Sequence, residues 1–271
     1  PTTALLAPAW STPTSCNRPR VDAATTVGLI SFALVVSTYG TVIGAGGGFI
    51  LIPGLVLLFD MNGVQAVGTG TVTLVAIGFT GAINYDRARL VHRGAAGWFA
   101  AGSVPTALLC AWFVADRIDA ELFTSALGFV LIALAIFVML APHTTADDQE
   151  IPKPRRCRLM TGGVGVGALS GTFAVGGGLL TVPQLTSVQK LRPHRAAATT
   201  SATATMASFA GATGHTIAGN VIWSHAALLV TGAIVGSTLG ARLAGRLPAR
   251  AVLIGLATGL IVAGASLLLA G

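Results

Sequence analysis

Long apolar segments alternate with short polar segments along the chain from about residue 24 onward. A membrane-spanning helix needs about 20 predominantly apolar residues. Most of the apolar segments have about that length, and two are longer. The pattern predicts an all-α integral membrane protein. The apolar segments are 24–59, 63–84, 94–115, 120–141, 159–189, 196–218, 224–245 and 250–270.

The two longest apolar segments each contain three consecutive glycines. The sequence is GAGGGFILIP at Gly44–Pro53 and FAVGGGLLTVP at Phe173–Pro183. Glycine in a helix interior costs about 1 kcal/mol relative to alanine, so a run of three predicts a break in the helix. The segments 24–59 and 159–189 are therefore predicted to be hairpins with one long limb and one short limb.

The short limbs are predicted to begin at Phe49 and Leu179. Pro53 and Pro183 are then expected in the first turn or so of these limbs. A proline lacks the backbone N–H, and near a helix start that group has no partner within the helix.

The two glycine runs belong to an internal repeat with a spacing of 130 residues. Glycines, prolines and threonines match in a register that needs no gap to the end of the chain, which is the mark of a structural repeat. The matched positions include Gly46–Gly48 with Gly176–Gly178, Pro53 with Pro183, Thr69 with Thr199 and Gly81 with Gly211. The predicted organisation is a mobile tail (1–22), a first repeat (23–141), a cytoplasmic linker (142–158) and a second repeat (159–271).

Loop charges reverse between equivalent loops of the two repeats. The loop with Arg87, Arg89 and Arg93 corresponds to 215–225, which has no Lys, Arg, Asp or Glu. Cytoplasmic loops carry the excess of Lys and Arg, so the repeats are predicted to be inverted in the membrane. Segments 85–93, 153–158, 190–195 and 242–250 are predicted to face the cytoplasm, and 60–63, 116–121, 218–225 and both termini the outside.

Composition supports a membrane protein and argues against several other classes. Charged residues make up 9% and hydrophobic residues 53% of the chain, whereas soluble domains carry about 25% charged residues. The net charge of +7 comes from short basic clusters between apolar segments, so lipid and not nucleic acid is the expected partner. The cysteines Cys16, Cys110 and Cys157 fit no metal or redox spacing. We expect no metal, no cofactor and, since no catalytic motif is present, no enzymatic activity.

An inverted repeat with a broken hairpin in each half is typical of secondary transporters, which bind substrate near the membrane midplane. The start of a short helix after the glycine break presents free N–H groups and partial positive charge, which suit a small oxyanion. The alternative is that the glycines only permit tight helix packing. The candidate binding residues from the breaks are Gly46, Gly47, Gly48, Pro53, Gly176, Gly177, Gly178 and Pro183.

Hydroxyl-rich sequences follow both hairpins, GTGTVT at Gly68–Thr73 and TTSATAT at Thr199–Thr205. Their hydroxyl groups are candidate donors to the same anion. Such groups also bond to their own helix backbone or to a neighbouring helix, which is the alternative. Thr200 stands where the first repeat has Gly70, so the two half-sites need not be equivalent. The candidates are Thr69, Thr71, Thr199, Thr200 and Ser201.

Three further polar residues near span ends have candidate roles. Arg87 and Arg242 lie on the predicted cytoplasmic side, where they could capture an anion or act only as topology anchors. His215 is a candidate for proton coupling. A histidine held structurally by a hydrogen bond is the alternative.

With these motifs the chain resembles the sulfite exporter TauE/SafE family. The resemblance rests on GAGGGFILIP with VGTGTVT and on AVGGGLLTVP with ATTSATAT, within a repeat that covers about 24–271. It implies a multi-span permease of the inner membrane that moves small anions, sulfite or organosulfonates such as sulfoacetate. We expect export by alternating access. A passive anion channel and a membrane assembly factor without a solute remain alternatives, and glycine-rich helix faces are compatible with a homodimer.

Overall fold

The structure is a computed structural model that describes residues 22–43, 46–87, 89–113, 120–140, 156–175, 177–189, 191, 193–243 and 249–270. The described residues form α-helices and no strand, as the apolar pattern predicts. The helices are α1 (Ala23–Ile43), α2 (Gly48–Phe59), α3 (Gly63–Arg87), α4 (Arg93–Phe113), α5 (Ala120–Leu140), α6 (Arg156–Phe173), α7 (Gly178–Gln189), α8 (Pro193–Ile217), α9 (Trp223–Leu243) and α10 (Ala249–Ala270). The predicted tail and linker lie outside these residues, apart from Asp22 and Arg156–Arg158.

Each of the two segments with a triple glycine forms two helices that pack against each other in antiparallel directions. In the first hairpin the ring of Phe32 on α1 packs against the ring of Phe59 on α2, with the centroids 5.8 Å apart. In the second hairpin Gln184 Nε2 on α7 donates a hydrogen bond to the Arg158 carbonyl on α6 at 3.0 Å. The breaks therefore lie at the closed ends of the two hairpins.

The short limbs α2 and α7 have 12 residues each. At about 1.5 Å per residue such a helix is about 18 Å long, less than the roughly 30 Å of a bilayer's hydrocarbon core. Pro53 is the sixth residue of α2, one turn further along than the helix start where its missing N–H would cost least. The carbonyl of Phe49 consequently lacks its helical donor.

The repeat of 130 residues is visible in the helix bounds. Helices α2, α3 and α4 begin and end 130 residues before α7, α8 and α9. The helices extend beyond some apolar segments: α3 continues to Arg87, and α8 already begins at Pro193. Apolar composition marks the part of a helix in hydrocarbon, whereas the helix itself continues into the interface.

The helices of the two halves are interleaved. Helix α1 packs on α9, α6 on α4, α3 on α8 and α5 on α10. Glycines spaced by four residues make the first two contacts close, because their α-carbons lie against backbone carbonyls of the partner helix. On α9 these are Gly232, Gly236 and Gly240, and on α6 they are Gly163, Gly167 and Gly171.

Helices α3 and α8 cross in opposite directions. Gly81 near the end of α3 lies by Ser201 near the start of α8, and Thr71 lies by Gly211. At the crossing, a Cβ on Gly78 would lie only 2.6 Å from Thr205 Oγ1. Glycine thus brings the two equivalent helices together at the centre of the fold.

Among the described residues, α1, α3, α4 and α9 have the length and apolarity to cross a membrane. Shorter apolar stretches occur in α2, α5 and α10. Helix α8, a predicted span, is long but rich in Ala and Thr, and its first half is largely buried by other helices. This first half forms part of the interior, where contact with protein replaces contact with lipid.

The arginine side chains that the structure describes lie at one end of the helix bundle. Arg93 Nη2 is 3.2 Å from Asp86 Oδ1, which joins the start of α4 to the end of α3. The Arg156 guanidinium lies 5.0 Å over the Trp98 ring, which joins the start of α6 to the start of α4. This basic end contains Arg87, Arg89, Arg93, Arg156, Arg158, Arg195 and Arg242, while Asp22 and Asp60 lie at the opposite end.

Candidate functional site

The breaks of the two hairpins touch each other. The α-carbon of Gly48, the first residue of α2, lies directly against the carbonyl oxygen of Ala174. A Cβ at Gly48 would also lie 2.9 Å from Leu74 Cδ1 on α3. No side chain larger than hydrogen fits at this position without moving the second hairpin.

The backbone at both breaks has left-handed conformation. Gly46 and Gly47 have φ of 78° and 79°, and Ala174 has φ of 47°. This region is unstrained for glycine and unfavourable for alanine. The Gly47 carbonyl accepts hydrogen bonds from the N–H groups of Ile50 and Leu51. The N–H groups of Gly48 and Phe49, the first two residues of α2, therefore have no acceptor within the helix.

A cavity lies between the breaks and the α3–α8 crossing. Its volume is about 30 Å³, which is room for about two water molecules in this conformation. None of the residues that line it carries an ionisable side chain. They are Thr41 from α1, Gly46 and Gly178 from the breaks, Leu74, Ile77, Gly78 and Gly81 from α3, and Ser201, Ala204 and Ser208 from α8.

Thr41 lines this cavity near the end of α1. Its side chain is buried, and its Oγ1 has no hydrogen-bond partner among the described residues. An unpaired buried hydroxyl costs about 1–3 kcal/mol, and a bound ligand that accepts its proton would remove that cost. Sequence reasoning missed Thr41 and Ser208. The signal for Thr41 was its position just before the first glycine break, at the end of the hydroxyl-containing sequence STYGT at Ser37–Thr41.

Two of the predicted hydroxyl residues bind connecting loops. Thr69 Oγ1 accepts a bond from the Ile222 N–H at 3.1 Å. Thr199 Oγ1 accepts one from the His92 N–H at 3.0 Å and donates to the Arg195 carbonyl at 2.7 Å. Thr69 and Thr199 are equivalent in the repeat, and so are His92 and Ile222. Each threonine therefore holds the loop that begins a helix of the opposite half.

The other predicted hydroxyls have separate environments. Thr71 Oγ1 donates to the Val67 carbonyl of its own helix at 2.6 Å. Thr200 is fully buried and its Oγ1 has no hydrogen-bond partner among the described residues, but it does not line the cavity. Ser201 donates to the Ala197 carbonyl at 3.1 Å and does line the cavity.

In the described part of the chain, two of the binding residues predicted from the glycine breaks line this cavity. Gly46 and Gly178 line it directly, while Gly47, Gly48 and Gly177 lie buried beside it in the two breaks. Pro53 is buried within α2, Pro183 lies in α7, and Gly176 is outside the described residues.

His215 and the two candidate arginines lie away from the cavity lining. His215 is fully buried on α8, and its Nε2 lies 3.0 Å from the Gly171 carbonyl on α6. Arg87 and Arg242 are exposed at the basic end of the bundle. No group of three or more His, Cys, Asp or Glu side chains in the described part of the chain is arranged to hold a metal ion.

Apolar spanning helices, two broken hairpins and a small central cavity without ionisable side chains define a multi-pass helical membrane protein with a cavity between discontinuous helices. The sequence profile of the family described as "Sulfite exporter TauE/SafE" matches residues 29–267. The chain belongs to this family, and it is a membrane transporter.

Several relatives are named as probable membrane transporter proteins. The chain is 27% identical over 266 residues to the probable membrane transporter protein YunE of Bacillus subtilis, covering 90% of this chain and 97% of the relative. It is 25% identical over 214 residues to a probable membrane transporter protein of Haemophilus influenzae, covering 77% and 81%. A third, from Methanocaldococcus jannaschii, is 27% identical over 164 residues, covering 58% and 60%. No solved structure matches the chain.

Proposed function

We propose that this chain is a secondary transporter that exports small sulfur-containing anions, sulfite or organosulfonates such as sulfoacetate. The observation that carries the proposal is the cavity at the meeting point of the two hairpin breaks, beside the crossing of α3 and α8. Non-helical backbone at membrane depth is tolerated where it lines such a cavity, and transporters bind substrate there.

The cavity suits an anion although it contains no cationic side chain. Helix starts offer N–H groups and partial positive charge, and Thr41 offers a buried hydroxyl without a partner among the described residues. Ser201 and Ser208 add hydroxyl groups to the lining, and Ser201 would donate to an anion in place of the Ala197 carbonyl. A neutral site of this kind can release its ligand more readily than an arginine cluster would. Arg87 and Arg242 at the basic end would attract anions from the cytoplasm before they enter.

Alternating access fits the interleaved packing. We propose that the repeats are inverted, which the antiparallel crossing of α3 and α8 and the equal helix bounds support. The hairpin elements of one half would then rock against the other around the cavity. By the positive-inside rule the basic end faces the cytoplasm, with both termini outside the inner membrane.

Lipid is the proposed partner of the outer surface. Large apolar side chains such as Phe79, Phe129 and Phe209 are 59–66% exposed, which suits contact with acyl chains. The glycine-rich faces of α6 and α9 pack against α4 and α1 of the same chain, so a homodimer, if formed, would use part of this exposed apolar surface instead. Cross-linking at native expression level would show a band of doubled mass for the dimer.

The test is transport by purified protein in liposomes. We expect proteoliposomes to move sulfite or sulfoacetate, to accumulate it when an ion gradient is applied, and to release it chemically unchanged. Movement that never exceeds equilibrium would indicate a channel, and no solute movement would favour an assembly factor. A size-matched cation is the substrate control.

A double variant tests the site itself. Gly47→Leu with Gly177→Leu places side chains in both breaks, and we expect anion transport to be lost. Transport at the wild-type rate would contradict the placement of the site in the breaks. Gly97→Leu is the control, because a Cβ at that position meets no atom within 4 Å.

A further inference from the structure

Each break contributes a glycine to the cavity lining, but the first residue of α7, Gly178, lines the cavity while the first residue of α2, Gly48, does not. One residue of α3 accounts for much of this difference. Leu74 Cδ1 lies 2.9 Å from the position of a Cβ on Gly48, and its Cδ2 lies 3.9 Å from that of a Cβ on Gly46. The leucine side chain therefore lies over the start of α2. The equivalent residue on α8 is Ala204, which has no side chain beyond its methyl group. At Gly177, which is equivalent to Gly47, the Ala204 α-carbon is 3.9 Å from the position of a Cβ. The nearest side-chain atom there is Val166 Cγ1 at 3.1 Å, as Val36 Cγ1 is at 3.3 Å from the position of a Cβ on Gly47.

A second group shields the start of α2. The Ala174 carbonyl oxygen touches the Gly48 α-carbon, so a partial negative charge already lies beside the partial positive charge of this helix start. An anion would have to displace both this carbonyl and Leu74 to approach α2. The Ala174 carbonyl and Leu74 therefore close this half of the site in the native sequence.

The start of α7 borders the cavity directly. Gly178, its first residue, lines the cavity together with Ser201 and Ser208 of α8. Thr41 on the same cavity has a buried Oγ1 without a partner among the described residues. Helix N–H groups and hydroxyls thus converge on this side, while Leu74 and Ile77 form an apolar wall from α3.

We propose that the anionic head is held at the start of α7 and that Leu74 is the residue that sets substrate specificity. Leu74 excludes the anion from α2 and contacts the apolar part of the ligand. The site then favours an anion with a short carbon chain over an inorganic oxyanion of similar head group. This inference rests on the proposed transport of sulfur-containing anions, and it adds which helix holds the head and which residue discriminates between ligands.

The experiment compares the affinities of detergent-purified protein for sulfite, methanesulfonate and ethanesulfonate, measured by calorimetry. We expect ethanesulfonate to bind more tightly than sulfite. Leu74→Ala should lower the affinity for ethanesulfonate by about 10-fold, since contacts of this size in an apolar pocket contribute at least that much. The affinity for sulfite should change by less than about twofold. The ratio of the two affinities is the readout, because loss of folding would lower both together.

The reciprocal variant tests the other half of the proposal. Ala204→Leu places the same side chain beside α7, and we expect all three anions to lose at least about 10-fold in affinity. Leu58→Ala is the matched control, since Leu58 on α2 is 67% exposed. Apparent melting temperatures establish that each variant is folded.

The outcomes separate the two proposals. If the wild type binds none of the three anions, the proposed function fails. If it binds them but Leu74→Ala changes sulfite and ethanesulfonate equally, or Ala204→Leu changes neither, the proposed function stands and the role of Leu74 is overturned.

Discussion

The carbonyl oxygen of Ala174 in the second hairpin lies directly against the α-carbon of Gly48 in the first. The two residues are 126 positions apart in sequence, yet together they form the contact between the breaks. Any relative motion of the hairpins must change this contact. It is therefore the first place to test whether the hairpins move and how tightly they are packed.

Gly48→Ala should destabilise the protein and slow transport. The added methyl would overlap the Ala174 oxygen and approach Leu74 Cδ1, and overpacking of this kind costs about 1–3 kcal/mol. The measurement is the apparent melting temperature in detergent together with anion uptake by proteoliposomes. Gly97→Ala on α4 should leave uptake unchanged and raise stability by about 1 kcal/mol, since the added methyl meets open space and alanine is the better helix former. A Gly48→Ala protein as stable and active as wild type would show that the hairpins separate readily.

Ala174→Gly should stabilise the break. Ala174 has φ of 47°, and left-handed backbone costs a non-glycine residue about 1–2 kcal/mol. Glycine removes that cost, although it also adds freedom to the unfolded chain. We therefore expect a higher apparent melting temperature for Ala174→Gly. Ala101→Gly in helix α4 should have the opposite effect, because glycine in a helix interior lowers the free energy of unfolding by about 1 kcal/mol. A lower value for Ala174→Gly would mean that its methyl group, which is buried, contributes more than the strain.

Thr69→Val and Thr199→Val should have matching effects, because the two threonines hold equivalent loops of opposite halves. Each substitution leaves a loop N–H, of Ile222 or of His92, without its acceptor, at a cost of about 1–3 kcal/mol. Thermal unfolding in detergent measures both. Thr213→Val is the control, since its exposed hydroxyl bonds only to the Phe209 carbonyl of its own helix. A large effect at one site and none at the other would argue against equivalent roles.

The hairpins could be predicted from the sequence because glycine and proline act locally. Three glycines break a helix wherever they occur, and the structure begins the short limbs at Gly48 and Gly178, one residue before the predicted starts. The helix ends were less predictable. Apolar composition marks only the part of a helix that lies in the hydrocarbon core. It therefore did not predict the polar last turn of α3, which ends at Arg87.

The composition of the cavity could not be predicted because it depends on which helix faces cross. The hydroxyl-rich sequence at 199–205 places Ser201 on the cavity, whereas Thr199 turns to the His92 loop on the neighbouring helix face. Thr41 is one of several hydroxyl residues of α1, and it reaches the cavity because α1 ends at the first break. Residue type narrowed the candidates, and the packing of α3 against α8 selected among them.

His215→Gln should preserve both stability and transport if the histidine is structural. Its Nε2 lies 3.0 Å from the Gly171 carbonyl, and a glutamine amide can donate a bond from nearly the same position. His215→Leu should lower stability by about 1–3 kcal/mol, because the carbonyl loses its donor. Proteoliposome uptake with and without a proton gradient is the deciding measurement. Loss of the gradient's effect in the glutamine variant, with folding intact, would instead assign His215 to proton coupling.

The orientation of the bundle can be tested with the native cysteines. Cys157 is exposed at the start of α6, on the basic end, and Cys110 is half-buried within α4. In a background with Cys16→Ser and Cys110→Ser, a membrane-impermeant maleimide should label Cys157 in inside-out vesicles and not in right-side-out vesicles. Ser224→Cys in a chain without other cysteines should give the opposite result, since Ser224 is exposed at the other end of the bundle, at the start of α9. Labelling of Cys157 from the outside would reverse the proposed topology, and the basic end could then not collect anions from the cytoplasm for export.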